Sequence, residues 1–150
     1  MRRSGFTMIE LIFVIVILGI LAAVALPKFI GVTEQAKEGN LKAFVGTLNR
    51  TVGPTLWSKS MARGQKGNIS GITDDLTRYT EIPEGNTSAP DFSKCTTTAG
   101  SSSDAFMEYK IGDTEYKIVC REGNETDAPR FGLYIKNGNS WEASIDIPSS

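Results

Sequence analysis

The sequence predicts an α+β chain, with one long N-terminal helix packed against a small antiparallel sheet of about four strands. Three observations predict it. The chain opens on a nearly unbroken apolar run, continues in an amphipathic pattern of helical period, and closes on two pairs of alternating segments, each pair joined by a short Gly-containing turn. At 150 residues there is room for one domain beyond the opening helix. The 16 basic and 17 acidic side chains nearly cancel, and no basic block follows Arg2-Arg3, which argues against nucleic acid as a partner. The count of 0 histidines removes the commonest general base, so enzyme readings start at a disadvantage.

The opening run comes first. From Leu11 to Leu26 there are sixteen consecutive residues without a charge or a strongly polar group. As a helix they span ~24 Å, and Phe6–Ile9 extend the stretch to the roughly 20 residues needed to cross a bilayer. Glu10 alone interrupts it, while Arg2 and Arg3 before it and Lys28 after it bias the N-terminus toward the cytoplasm. An ordinary secretory signal would also fit, with Ala23-Val24-Ala25 as a small-x-small site, cleavage after Ala25 and a soluble exported binding protein as product. Glu10 and the length of the run count against that reading. A plain membrane anchor accounts for the length and gives Glu10 no role.

The junction Gly5-Phe6-Thr7-Met8-Ile9-Glu10-Leu11, after a short basic leader and before a long apolar helix, resembles the type IV prepilin motif shared by type IV pilins and type II secretion pseudopilins. The resemblance covers about residues 1–50. It implies a leader of residues 1–5 removed by a membrane-embedded prepilin peptidase, with Gly5 the last leader residue and Phe6 the methylated first mature residue. It also implies that Glu10 sets register during assembly by meeting the amine of an adjacent subunit. A carboxylate in hydrocarbon is costly and normally marks function, and such an ion pair is worth keeping only when both charges are well solvated or hydrogen-bonded. Gly19 and Ala23, four apart, offer a small face for close helix approach. Pro27 cannot donate to the carbonyl of Ala23 and is expected to kink or loosen the helix nearby. In assembled members of the family the stretch between glycine and proline is often melted, which here would fall between Gly19 and Pro27.

Beyond Pro27 the pattern becomes amphipathic. Leu41, Phe44, Val45, Leu48 and Val52 recur at helical spacing, with Glu34, Lys37, Glu38 and Lys42 on the other side and Glu38–Lys42 a favourable i, i+4 pair. The helix is therefore expected over residues 6–52 and a globular head over residues 53–150, with a break at Gly53-Pro54 and a second short helix from Pro54 to Met61, stopped by Gly64. Residues 64–104 read as loop, with a short helix capped by Thr73. Phe106–Ile111 and Thr114–Cys120 alternate around Gly112-Asp113, and Phe131–Lys136 and Ser140–Ile145 alternate around Asn137-Gly138-Asn139. Four such strands on the helix make an α+β roll, which is the pilin fold that the N-terminus implies.

Cys95 and Cys120 could close one loop in an oxidising compartment, or could be buried free thiols. A metal site there has too few ligands, since there is no C-x-x-C pair and no histidine. The acidic residues Asp74, Asp75, Asp113 and Glu115 form no calcium-ligand spacing and read as solvated charge. Sequons of the form N-x-[ST] occur at Asn49, Asn68, Asn86 and Asn124, and Asn86 and Asn124 each follow a glutamate by two residues, as some bacterial glycosylation systems prefer. Trp57 and Trp141 read as core.

The resulting expectation is a structural subunit, not an enzyme, needing no cofactor or metal. Its expected partners are identical or homologous pilin subunits, prepilin peptidase, an inner-membrane assembly platform with its motor, and membrane lipid, with no nucleic acid. It would sit in the inner membrane with one pass and then enter a periplasmic or surface filament, as a type II secretion pseudopilin or a type IV pilin.

Overall fold

The computed structural model describes residues 5–100 and 102–147. Arg2 and Arg3, and most of the expected leader, lie outside the described residues. The chain divides into two compact units, Met1–Ala36 and Lys37–Ser150. Helix α1 runs over Met8–Thr47 and is continuous through Pro27. In the first unit none of the residues from Met8 to Leu26 is buried among the described residues, and Leu11, Ile15, Leu18 and Leu21 are all more than half exposed.

The second unit, called the head below, is built on the end of α1. Leu41, Phe44, Val45, Leu48 and Val52 are all buried, so the stripe read from the sequence is the face that the head covers. The expected break at Gly53-Pro54 does not occur. A π-helical segment, Leu48–Val52, leads directly into α2, Gly53–Ala62. The physical reason is the proline. Pro54 has no N–H to return to the turn below it, and widening that turn lets the Gly53 N–H reach the carbonyl of Leu48, five residues back. Gly53 itself sits in a crowded place: a Cβ there would stand 3.0 Å from the carbonyl oxygens of both Leu48 and Pro129, so either carbonyl would have to give way slightly.

The sheet is a meander of four antiparallel strands in the order β1-β2-β3-β4: Met107–Ile111, Thr114–Arg121, Arg130–Asn137 and Ser140–Ile145. Ile111 pairs with Thr114 and Asn137 with Ser140, so both hairpins turn in two residues, Gly112-Asp113 and Gly138-Asn139. Gly112 and Gly138 take the positive φ that such turns need, 59° and 58°. Asn137 thus belongs to its strand and not to the turn. Tyr116, Ile118, Cys120, Phe131 and Leu133 join the helical stripe in one core, where Phe106 meets Phe92 and Phe131 at ring-centroid distances of 5.1 and 5.3 Å.

The other face of the sheet carries a smaller cluster, Val119, Tyr134 and Ile147, with Ala99 and Trp141 packed against it. Lys117 is buried there. Its Nζ lies 4.8 Å from the centre of the Trp141 ring and donates to the carbonyl of Ser103 at 3.1 Å. Burial pushes this ammonium below the usual lysine range.

The connecting region 64–104 is more structured than its composition suggests. Asp75, not Thr73, caps a 3₁₀ turn over Leu76–Arg78, and Asp91 caps a second over Phe92–Lys94. Each aspartate accepts the N–H two residues on, at 3.0 Å, and each has its carboxyl held below the usual range chiefly by hydrogen bonds from the capped residue. The segment then lies along β1: Thr87 donates to the Glu108 carbonyl at 2.8 Å and Lys110 to that of Gly85 at 2.9 Å, so this sheet edge is covered.

Candidate functional site

Two parts of the molecule carry the residues singled out in the sequence: the start of α1 and the head. At the start of α1, Gly5 and Phe6 precede the helix in an exposed, non-helical stretch, with Phe6 88% exposed. A Cβ on Gly5 would meet nothing within 4 Å, so packing in this chain does not require glycine there.

Glu10 is bound by a residue that the reading of the sequence passed over. Thr7 sits at the helix entrance. Its N–H and its hydroxyl donate to Glu10 Oε2, at 3.2 and 3.1 Å, while the Glu10 N–H donates to Thr7 Oγ1 at 3.4 Å. This is a capping box, in which threonine and the glutamate three residues later satisfy each other's orphan N–H groups. The signal was present as Thr7-x-x-Glu10 before an apolar run. Its consequence is electrostatic. A carboxylate at the start of a helix also meets the positive end of the helix dipole, so Glu10 is hydrogen-bonded in the isolated chain before any partner arrives.

From Met8 to Leu26 the helix has a mean hydropathy of 3.0 over 19 residues, none of them buried. It is the one helix among the described residues long and apolar enough to cross a membrane. Gly19 and Ala23 lie on it, and a Cβ at Gly19 would meet nothing within 4 Å. That small face is empty in the single chain.

In the head, Cys95 and Cys120 form a disulfide that ties the second 3₁₀ turn to β2. Asn49, on the π-helical segment, makes a two-pronged bond to β3: its Nδ2 donates to the Phe131 carbonyl and its Oδ1 accepts the Phe131 N–H, both at 2.8 Å. Lys59 on α2 donates to Asp74 Oδ2 at 2.6 Å and to the Tyr79 hydroxyl at 2.5 Å, and Tyr79 donates to the same carboxylate oxygen at 2.9 Å. The Lys59 and Tyr79 hydrogen bonds hold the Asp74 carboxyl below its usual range. Glu38 and Lys42 pair at 2.7 Å, as their spacing predicts.

Of the acidic residues weighed for calcium, Asp74 is thus held by Lys59 and Tyr79, Asp75 by its cap, and Glu115 by Lys136. Among the described residues no group of three or more Cys, Asp or Glu gathers to hold a metal. The two tryptophans are not core. Both are half-buried: the Trp57 indole N–H donates to the Asn124 carbonyl at 2.7 Å, and Trp141 lies under Lys117 on the outer face of the sheet. Each packs its ring and keeps an edge in reach of a polar partner.

Fold and site together define a class: a chain with an exposed apolar N-terminal helix, a capped acidic residue at its start, and a self-contained α+β head. Comparison with known proteins carries this further. The family model described as the prokaryotic N-terminal methylation motif matches residues 1–26. The type IV narrow pilus major component PilA5 of Thermus thermophilus is 56% identical over 43 residues, 29% of this chain and 37% of that protein. The type II secretion system core protein G of Pseudomonas aeruginosa is 44% identical over 52 residues, 32% of this chain and 37% of that protein. The type IV major pilin protein PilE1 of Neisseria gonorrhoeae is 37% identical over 87 residues, 58% of this chain and 41% of that protein. No solved structure matches. Residues 1–26 thus match the N-terminal methylation motif, and the chain is similar to type IV pilins and to a type II secretion core protein. The matches span less than half the length of these relatives.

Proposed function

We propose that the chain is a structural subunit of a type IV pilus-like filament, performing no chemistry itself. A prepilin peptidase cuts after Gly5 and methylates the new amine of Phe6. The subunit then leaves the inner membrane through an assembly platform and motor, and packs helix-inward against other subunits. The observation that carries this reading is the conjunction at the start of α1: a methylation motif over residues 1–26, an exposed helix from Met8 to Leu26, and one acidic residue, Glu10, at its entrance.

The helix supplies the driving force. Its apolar side chains are left exposed by the described residues, so lipid buries them before extraction and other helices afterwards. In a filament the bare Gly19 and Ala23 face admits a neighbouring backbone, and Pro27 is the place where the helix can give. Glu10 supplies register. On assembly, the amine of a neighbour offers its carboxylate an ionic partner that hydrogen bonds from Thr7 do not replace. Two members of the family are named for pili and one for type II secretion. The head's disulfide fits the oxidising side of the membrane in either case.

Glu10→Ala separates the steps. The variant is expected to be cut after Gly5 and to remain in the membrane, and to be missing from sheared filaments. Filaments of normal yield and length from that variant would remove Glu10 from assembly.

A further inference from the structure

We propose that Asn86 is an acceptor for N-linked glycan, and that it is the one of the four sequons that the folded head can carry in modified form with its recognition acid free. This goes beyond the filament reading and rests only on the head reaching the exported side of the membrane. The four asparagines are equivalent as N-x-[ST]. The structure makes them unlike.

Asn49 is excluded by its bonds. Both ends of its amide are engaged with the Phe131 backbone across the helix–sheet interface, and a sugar on Nδ2 would break the donor bond and wedge the helix from β3. Asn124 is excluded in two ways. Its Nδ2, the atom that would take the sugar, donates to Asp127 Oδ2 at 3.4 Å. Its sequon hydroxyl, Thr126 Oγ1, is already spent on Asn124 Oδ1 at 2.9 Å, which also accepts the N–H groups of Thr126 and Asp127 at 2.8 and 2.7 Å. Its preceding acid, Glu122, is turned inward: Oε1 accepts the N–H groups of Ile69 and Ser70, and Oε2 is buried. Asn68 is exposed, but two residues before it stands Lys66 in place of an acid.

Asn86 has what the others lack. It is exposed, its amide makes no hydrogen bond to the described residues, and Glu84, two residues before it, is exposed and unpaired among them. A turn at Glu84-Gly85 joins the two, and Gly85 is fixed there by a φ of 98° and by the Lys110 carbonyl 3.0 Å from where its Cβ would be. The sequon hydroxyl, Ser88 Oγ, accepts the Glu108 N–H at 2.8 Å and keeps its own proton to donate. Segment 85–88 is held to β1 by backbone bonds of Gly85 and Thr87, so the transferring enzyme acts before this segment docks or while it is peeled from the sheet edge. The finished glycan costs the folded head no bond.

In the reaction, Asn86 Nδ2 forms a bond to the anomeric carbon of a sugar carried on a polyprenyl diphosphate. The anomeric carbon–oxygen bond breaks, polyprenyl diphosphate leaves with the electron pair, and the amide yields one proton to a carboxylate of the transferring enzyme. The test is to co-express the full precursor with an acid-selective bacterial oligosaccharyltransferase and its lipid-linked donor. Membrane-derived protein with its Cys95–Cys120 bridge formed, and therefore exported, is then mapped by peptide mass. Expected is a glycan on the peptide containing Asn86 and none on those containing Asn49 or Asn124. It should be lost in both Asn86→Gln and Glu84→Gln while the thermal transition of the head is unchanged. An unmodified Asn86 in that exported protein, a glycan on Asn124 or Asn49, or retention in Glu84→Gln would overturn the proposal.

Discussion

The apolar run from Met8 to Leu26 and the apolar stripe of Leu41, Phe44, Val45, Leu48 and Val52 use the same kinds of side chain and meet opposite fates. The first set is bare along its whole length; the second is sealed by a sheet, with Leu41, Val45, Leu48 and Val52 at 0% exposure. The difference is patterning. Where every position is apolar, no face is left for water, and the chain has not enough surface elsewhere to cover it. Where apolar positions recur three and four apart, one sheet suffices. The head packs on a core of its own, while the helix from Met8 to Leu26 has none of its residues buried.

Breaking the exposed helix should have the largest effect and leave the head alone. Ile17→Asp sits at the middle of Met8–Leu26, where an aspartate costs about 2.5–3.5 kcal/mol to insert. The expected result is loss of the chain from the membrane fraction, with the disulfide-bonded head, if exported, showing an unchanged denaturation midpoint. Breaking the buried side should do the reverse. Phe106 is fully buried between Phe92 and Phe131, and Phe106→Ala should cost the head about 3–5 kcal/mol in denaturant unfolding while membrane insertion is retained.

A smaller effect sharpens the comparison through pH. The carboxyls of Asp74, Asp75, Asp91 and Glu115 are each held below their usual range by hydrogen bonds within the head. A depressed folded-state value means stability that is present above the unfolded value, about 3.9 for aspartate, and lost as pH falls through the folded one. Head stability should therefore decline below about pH 4, and Asp74→Asn should flatten part of that decline in thermal melts recorded across the range.

What the sequence disclosed follows the same division. The stripe on α1, the two hairpins and their glycine turns were legible because they rest on periodicity and on φ preferences that neighbours in sequence decide. The π-helical segment was not, because a glycine–proline pair can break a helix or merely widen it, and the close approach of the Pro129 carbonyl to Gly53 is a tertiary fact. The half-exposed tryptophans escaped for the same reason: their polar partners, Asn124 and Lys117, come from distant strands and loops. The sealing of the β1 edge by residues 85–91 has no period at all. Thr7 is a different case. Its capping signature stood in plain view, eclipsed by the glutamate it holds.

The central claim is that Phe6, Glu10 and the exposed helix form one device, released by a cut after Gly5 and used in assembly. The most direct test is the mass of the mature N-terminal peptide, from membrane and sheared-filament fractions of the native chain. The account predicts a chain that begins at N-methylated Phe6 in both. A chain that begins at Leu26, soluble and without the helix, would contradict it.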